Sequence, residues 1–121
     1  MKFPVLVCDD SNVARKQVCR ILAKNPDFEI IEAGNGQEAL AILREREIGL
    51  VCLDLTMPIL DGVGLLSQLK EDKIVRHIVV ISADVQTEMQ ARVKQLGALD
   101  FIAKPVDEAS LSKVLHKFGI Y

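Results

Sequence analysis

The chain has no apolar run near the roughly 20 residues that a bilayer-spanning helix needs. It also lacks a secretory leader, because the opening MKFPVLVCDD runs from one lysine through a short apolar stretch into two acids. There is no excess of positive charge. Fifteen Lys and Arg face 17 Asp and Glu, for a net charge of −2. That balance argues against a nucleic-acid binder, which carries a basic stripe, and gives no attraction to an anionic membrane. The three cysteines, Cys8, Cys19 and Cys52, are odd in number and form no C-x-x-C pair. Cys8 and Cys52 sit inside apolar runs, where a thiol acts as a small hydrophobe, so a reducing cytoplasm is the expected setting. Internal repeats, low-complexity tracts and a G-x-x-x-x-G-K-[ST] phosphate loop are all missing.

What is present is a half-hydrophobic chain of 121 residues, enough for one full core and one domain over residues 1–121. Short apolar runs occur at Val5–Cys8, Phe28–Ala33, Leu50–Leu53, Ile78–Ile81 and Phe101–Ala103. They are rich in Val and Ile and mostly lack polar alternation, as strands buried on both faces of a parallel sheet do. Amphipathic segments separate them. Ala14, Val18, Ile21 and Leu22 share one helical face, leaving Arg15, Lys16, Arg20 and Lys24 to solvent. Gly36 introduces a second helix carrying Ala39, Leu40 and Leu43; Val63, Leu66 and Leu69 mark a third. Met89, Val93 and Leu96 mark a fourth, stopped by Gly97, and Leu111, Val114, Leu115 and Phe118 a fifth. Asn25-Pro26 ends the first helix, because the residue before proline disfavours helical backbone.

Five strand–helix units in succession predict an α/β domain, a parallel sheet with helices on both faces. Its length fits the flavodoxin-like strand order 2-1-3-4-5, although periodicity alone does not set that order. In such folds ligands bind beyond the carboxyl ends of the strands. Those ends carry Asp9-Asp10, Asp54, Ser82 and Lys104-Pro105. Singly, each has a plain structural role: Asp9 or Asp10 as a helix cap, Ser82 as a capping hydroxyl, Lys104 as a solvated lysine. Together they bring three carboxylates to one place, flanked by a hydroxyl and an amine. Close carboxylates repel, and a divalent cation relieves the repulsion. An all-oxygen site suits Mg²⁺, and with His77 and His116 elsewhere in the chain, zinc is disfavoured. Acids, Mg²⁺, lysine and hydroxyl are the parts of phosphoryl transfer, with a carboxylate as nucleophile.

In these segments the chain resembles the receiver domains of two-component response regulators, including the stand-alone chemotaxis kind. The likeness rests on VLVCDDS, AGNGQEAL, LDLTMPILDG, VVISA and GALDFIAKP, in that order and at the family's spacing. It implies that Asp54 is the phosphoacceptor. It implies that Asp10, Asp54 and the backbone carbonyl of Thr56 hold Mg²⁺, with Asp9 acting through water. Lys104 would pair with phosphoryl oxygens, and Ser82 would be the hydroxyl that swings toward them, with Ala83 leaving it room. Phe101 would be the aromatic group that turns inward, and the Lys104–Pro105 bond would be cis. Ser82 stands where the family commonly has threonine, and Phe101 where tyrosine is also common. Thr56 and Asp84 fall at variable family positions beside the site.

The resemblance implies partners too: a histidine kinase or phosphotransfer protein as donor, a downstream protein as target, and a phosphatase. With no output domain in the chain, the response would be a changed surface on the fourth helix, fifth strand and fifth helix. The basic face of the first helix is either a docking face for the kinase or a solvated one. Two other classes share parts of the pattern: a Mg²⁺-dependent phosphohydrolase using Asp54, and a scaffold that kept the fold without the chemistry.

Overall fold

The computed structural model describes residues 2–120. Strands and helices alternate as β1 (Phe3–Cys8), α1 (Asn12–Leu22), β2 (Phe28–Ala33), α2 (Gly36–Glu45), β3 (Leu50–Leu53), α3 (Gly62–Glu71), β4 (Ile78–Ser82), α4 (Thr87–Gln95), β5 (Asp100–Ala103) and α5 (Glu108–Lys117). The strands form one parallel sheet in the order β2-β1-β3-β4-β5, the order expected. Val5 of β1 pairs with Ile30 of β2 on one side and Leu50 of β3 on the other.

Side chains leave a strand alternately to its two faces, and the central strands use both. Leu6, Cys8, Val51, Leu53 and Val80 enter a core completed by α2, α3 and Val93 of α4. Val5, Val7, Leu50, Cys52, Val79 and Ile81 enter a second core, completed by α1 and α5. This is why the runs in β3 and β4 lack polar alternation: both strands are buried throughout. The edge strand β2 differs, being buried only at its two ends. Its Glu29 pairs with Arg46, and its Glu32 with Arg15 and Lys16.

Those pairs refine the picture of α1. Lys16 and Lys24 face solvent as expected, each in an exposed ion pair, with Glu32 and Glu108, while Arg15 departs from it, half-buried against Glu32. Of the four cations expected on a solvated face, only Arg20 forms no ion pair among the described residues. α1 also stops at Leu22, short of the Asn25-Pro26 break.

Side-chain caps begin four of the helices. Ser11, Asn35, Asp61 and Asp107 accept from the N–H groups of Ala14, Glu38, Gly64 and Ser110, each cap contributing about 0.5–2 kcal/mol. The first of these corrects the idea that Asp9 or Asp10 caps α1. α4 is the exception: Gln86 precedes it without a capping hydrogen bond, and Val93 is its one buried residue. Gly97 follows it at φ 106°, a left-handed turn suited to glycine.

α3 lies against the end of β3 because Gly62 has no side chain. A Cβ there would sit 2.6 Å from the Asp54 carbonyl oxygen and 2.7 Å from Leu55 Cα. Gly62→Ala is therefore expected to destabilise the fold by roughly 1–3 kcal/mol, as overpacking does. Gly34→Ala meets nothing within 4 Å and serves as the control. Urea denaturation of the two variants checks this, and equal midpoints would refute the close-approach argument.

Candidate functional site

Sheet hydrogen bonding continues one residue past three strands and anchors the backbones of the residues that matter. The N–H of Asp9 donates to the Ala33 carbonyl at 3.1 Å, that of Asp54 to Cys8 at 2.9 Å, and that of Lys104 to Ser82 at 2.9 Å. Asp9 and Asp54 thus stand side by side at the ends of β1 and β3, while Lys104 arrives from β5. Carboxylate oxygens of Asp9, Asp10 and Asp54 lie within 4.8 Å of one another. Lys104 Nζ donates to Asp9 Oδ2 at 2.8 Å and stands 3.2 Å from Asp54 Oδ1. The other Asp9 oxygen, Oδ1, accepts the Ser11 N–H at 2.9 Å. Asp9 and Asp54 are buried, whereas Asp10 is exposed.

Burial and the neighbouring Asp9 charge push the Asp54 carboxyl above its ordinary pKa, against the pull of Lys104. Burial opposes the Lys104 ammonium, but the hydrogen bond to Asp9 and the Asp54 charge outweigh it, and its pKa rises.

Residues 5–116 match the response regulator receiver domain family. The chain belongs to that family. It is 35% identical to the chemotaxis protein CheY of Bacillus subtilis over 97% of this chain and 98% of that one. It is 42% identical to a protein-glutamate methylesterase/protein-glutamine glutaminase of Syntrophomonas wolfei over 88% of this chain, but spans only 31% of that protein's length. Among solved structures, the CheX-CheY-BeF3-Mg complex of Borrelia burgdorferi holds a chain 32% identical to this one, with a TM-score of 0.90 over 98% of this chain and 90% of that one. This is a CheY-like phosphoacceptor domain.

Receiver domains bind Mg²⁺ at an acidic pocket, and the donors of this one fit such an ion. Three carboxylates against a single ammonium leave a formal charge of −2 at one point, and the donors are hard oxygens, as Mg²⁺ prefers. Lys104 is no solvated lysine: its side chain is 21% exposed and bridges two acids. The Lys104–Pro105 bond is cis, as expected.

The remaining expected residues lie at or just past the strand ends, on β5 and in the loops after β3 and β4. Ser82 is buried at the end of β4, and its hydroxyl accepts the Asp84 N–H at 3.1 Å. Ala83 and Thr56 are exposed. Phe101, half-buried on β5, borders a hollow of about 310 Å³ shared with Gln90, Ala91 and Leu99. The nearby Cys8 thiol is pushed up to about 12 by burial and by Asp9 and Asp54, so it stays protonated, in keeping with a packing role.

Sequence reading missed two groups around this receiver site. Arg15 Nη1 donates to the Asp9 carbonyl at 2.8 Å, tying α1 to the acid loop. Ile59 is 80% exposed at φ 70° in the loop between β3 and α3, a strained backbone for a β-branched side chain. No sequence signal marks either, since one depends on a cross-element contact and the other on a backbone angle.

Because folding raises the Asp54 pKa, its ionised form costs stability. That cost is full above the folded pKa and disappears as pH falls through it and below the ordinary carboxylate value. In metal-free buffer at pH 7, Asp54→Asn should melt several degrees above the wild type, with the gap narrowing as the pH is lowered. Thermal melts across that range check the sign; a less stable Asp54→Asn would reverse it.

Proposed function

We propose that this chain takes a phosphoryl group on Asp54 from a phosphohistidine of a histidine kinase or phosphotransfer protein, and that its surface changes in response. The observation that carries the reading is Lys104 Nζ, held 3.2 Å from Asp54 Oδ1 and 2.8 Å from Asp9 Oδ2 inside a three-carboxylate cluster. An Asp54 oxygen attacks phosphorus, the P–N bond breaks, and the imidazole leaves with the bonding electron pair. Lys104 neutralises charge on the phosphoryl oxygens as the group arrives. Asp10, Asp54 and the Thr56 carbonyl are the groups that would hold Mg²⁺. When bound, the ion offsets the negative charge of the phosphoryl oxygens. Both Asp9 oxygens already accept a donor, the Ser11 N–H and Lys104 Nζ, which supports a role for Asp9 through water. The domain also assists the later loss of the phosphoryl group.

The response starts at Ser82. Its hydroxyl, now an acceptor for the Asp84 N–H, turns to donate to phosphoryl oxygens, into room left by the small Ala83. A contact made only in the phosphorylated state shifts the equilibrium between two surfaces. Phe101 then turns inward, toward the hollow it borders. α4 is the element least held in place, uncapped and with only Val93 buried, which supports an output face on α4, β5 and α5.

Val13, Ile59 and Val85, 79%, 80% and 51% exposed, follow β1, β3 and β4 and so stand on the rim of the acid cluster. Apolar groups held in water around a reactive centre suit a docking protein, here the phosphodonor domain or a phosphatase. The basic face of α1 suits that role poorly, since three of its cations are engaged within the chain. Three free cysteines and no described helix long and apolar enough to cross a membrane fit a cytoplasmic receiver that signals by protein contact.

Intact-mass measurement after incubation with Mg²⁺ and a small acyl or amido phosphate tests the proposal. Wild type should gain one phosphoryl group and lose it slowly on standing; Asp54→Asn should gain none, and Asp10→Ala should lose the Mg²⁺ dependence along with the adduct. Rapid turnover of the donor would instead mark a phosphohydrolase. An inert donor and unmodified protein would mark a scaffold.

A further inference from the structure

The end of the sheet opposite the acid cluster carries a second feature. Between the C-terminal ends of α3 and α4 lies a hollow of about 230 Å³ with an aliphatic floor that includes Leu66, Leu69, Ile74 and Leu96. Lys70, Lys73 and Arg76 line it, and no acidic residue does. Among the described residues none of these three cations forms an ion pair, a state they share with Lys2, Arg20, Arg92, Lys94 and Lys113, but they alone gather three to one hollow. Val75, on the same rim, is 85% exposed, more than any other large hydrophobic residue described.

Arg76 adds an independent observation. Its Nη1 donates to the Val75 carbonyl at 2.9 Å and its Nη2 to the Leu43 carbonyl at 3.4 Å. Its Nε is buried without a partner, the one such side-chain atom among the described residues. That atom is itself out of a partner's reach, but the guanidinium is partly exposed and its charge has no carboxylate partner among the described residues; charged guanidinium donors favour carboxylates. Helix dipoles do not account for the cluster. Lys70 lies in the last turn of α3, where the negative helix end welcomes a cation, but that effect fades beyond the turn. Lys73 sits past it at φ 59°, and Arg76 stands on the connection to β4.

We infer that this hollow docks an acidic segment of a partner protein, one aliphatic side chain resting on the Leu66–Leu69–Leu96 floor and carboxylates facing Lys70, Lys73 and Arg76. Its volume is below the roughly 300–1,000 Å³ of small-molecule sites, which disfavours a small ligand. A neighbouring hollow of about 250 Å³ shares Val75 and Arg76 and continues past Ile48 to Phe3, giving a chain segment further surface to follow. Glu47 borders that second hollow, so the carboxylates belong over the first. A partner held here leaves the strand ends open to the phosphodonor.

Selection of a displayed random-peptide library on the immobilised full chain tests this, followed by NMR titration of the labelled full chain with the enriched peptides. The expected peptides combine aliphatic residues with at least two acids and shift signals of residues 66–76 and 95–97 saturably. They should bind Lys70→Glu/Lys73→Glu about tenfold more weakly, the sum of a few exposed charge pairs. That variant should still accept a phosphoryl group as the wild type does, which keeps this outcome separate from the Asp54 chemistry. Should its melting curve show a folding defect, Val75→Asp takes its place with the same expectation. Absence of enrichment overturns the inference, as do basic or neutral consensus sequences, shifts mapping elsewhere, undiminished binding to the variants, or binding of anionic lipid vesicles in place of peptides.

Discussion

The repulsion among Asp9, Asp10 and Asp54 is the constraint on which the working end of this molecule depends. Their oxygens lie within 4.8 Å of one another, and burial of two of the three weakens the solvent screening that would make such closeness cheap. Lys104 balances part of that charge. The remainder leaves the site incompletely neutralised, a condition that favours a divalent cation. Each element that sets the distances matters for this reason: the ladder bonds from Asp9 and Asp54 to their neighbouring strands, and that of Lys104 to Ser82.

The fold divides rigid from responsive parts along the sheet. β1, β3 and β4 are sealed on both faces by two aliphatic cores, so the acids rest on a support that gives little. Four helices are capped by side chains, and α3 is drawn close to the site by the missing Cβ of Gly62. α4 has neither a cap nor a wide buried face. In the proposed mechanism, free energy gained at Ser82 and Lys104 is released where the structure resists least. The opposite end of the sheet is separate again: Lys70, Lys73 and Arg76 form no ion pair among the described residues, and they lie at the far ends of the strands from the acids.

Much of this was legible in the residues. Unbroken Val- and Ile-rich runs marked the buried strands, helical spacing marked all five helices, and strand-end acids, lysine and serine marked the site. What could not be read was pairing between distant elements. The solvated charges of α1 could be read, but not the acceptors of three of them, Glu32 and Glu108, which lie on other elements. Asp9 and Asp10 looked like caps because spacing does not distinguish them from Ser11, whose hydroxyl takes that place.

The sequence by itself determined the element order, the chemistry available at each strand end and the kinship with receiver domains, because periodicity and motif spacing are local properties of the chain. Tertiary structure decided which charges meet. Strand order 2-1-3-4-5 places β1 beside β3, bringing Asp9 and Asp54 together across 45 residues of chain, and brings Lys104 within hydrogen-bonding distance of Asp9 across 95. It also left Arg76 Nε buried and unpartnered and Ile59 strained in solvent. Coulomb energy and desolvation depend on distance and burial in space, and neither can be read from position along the chain.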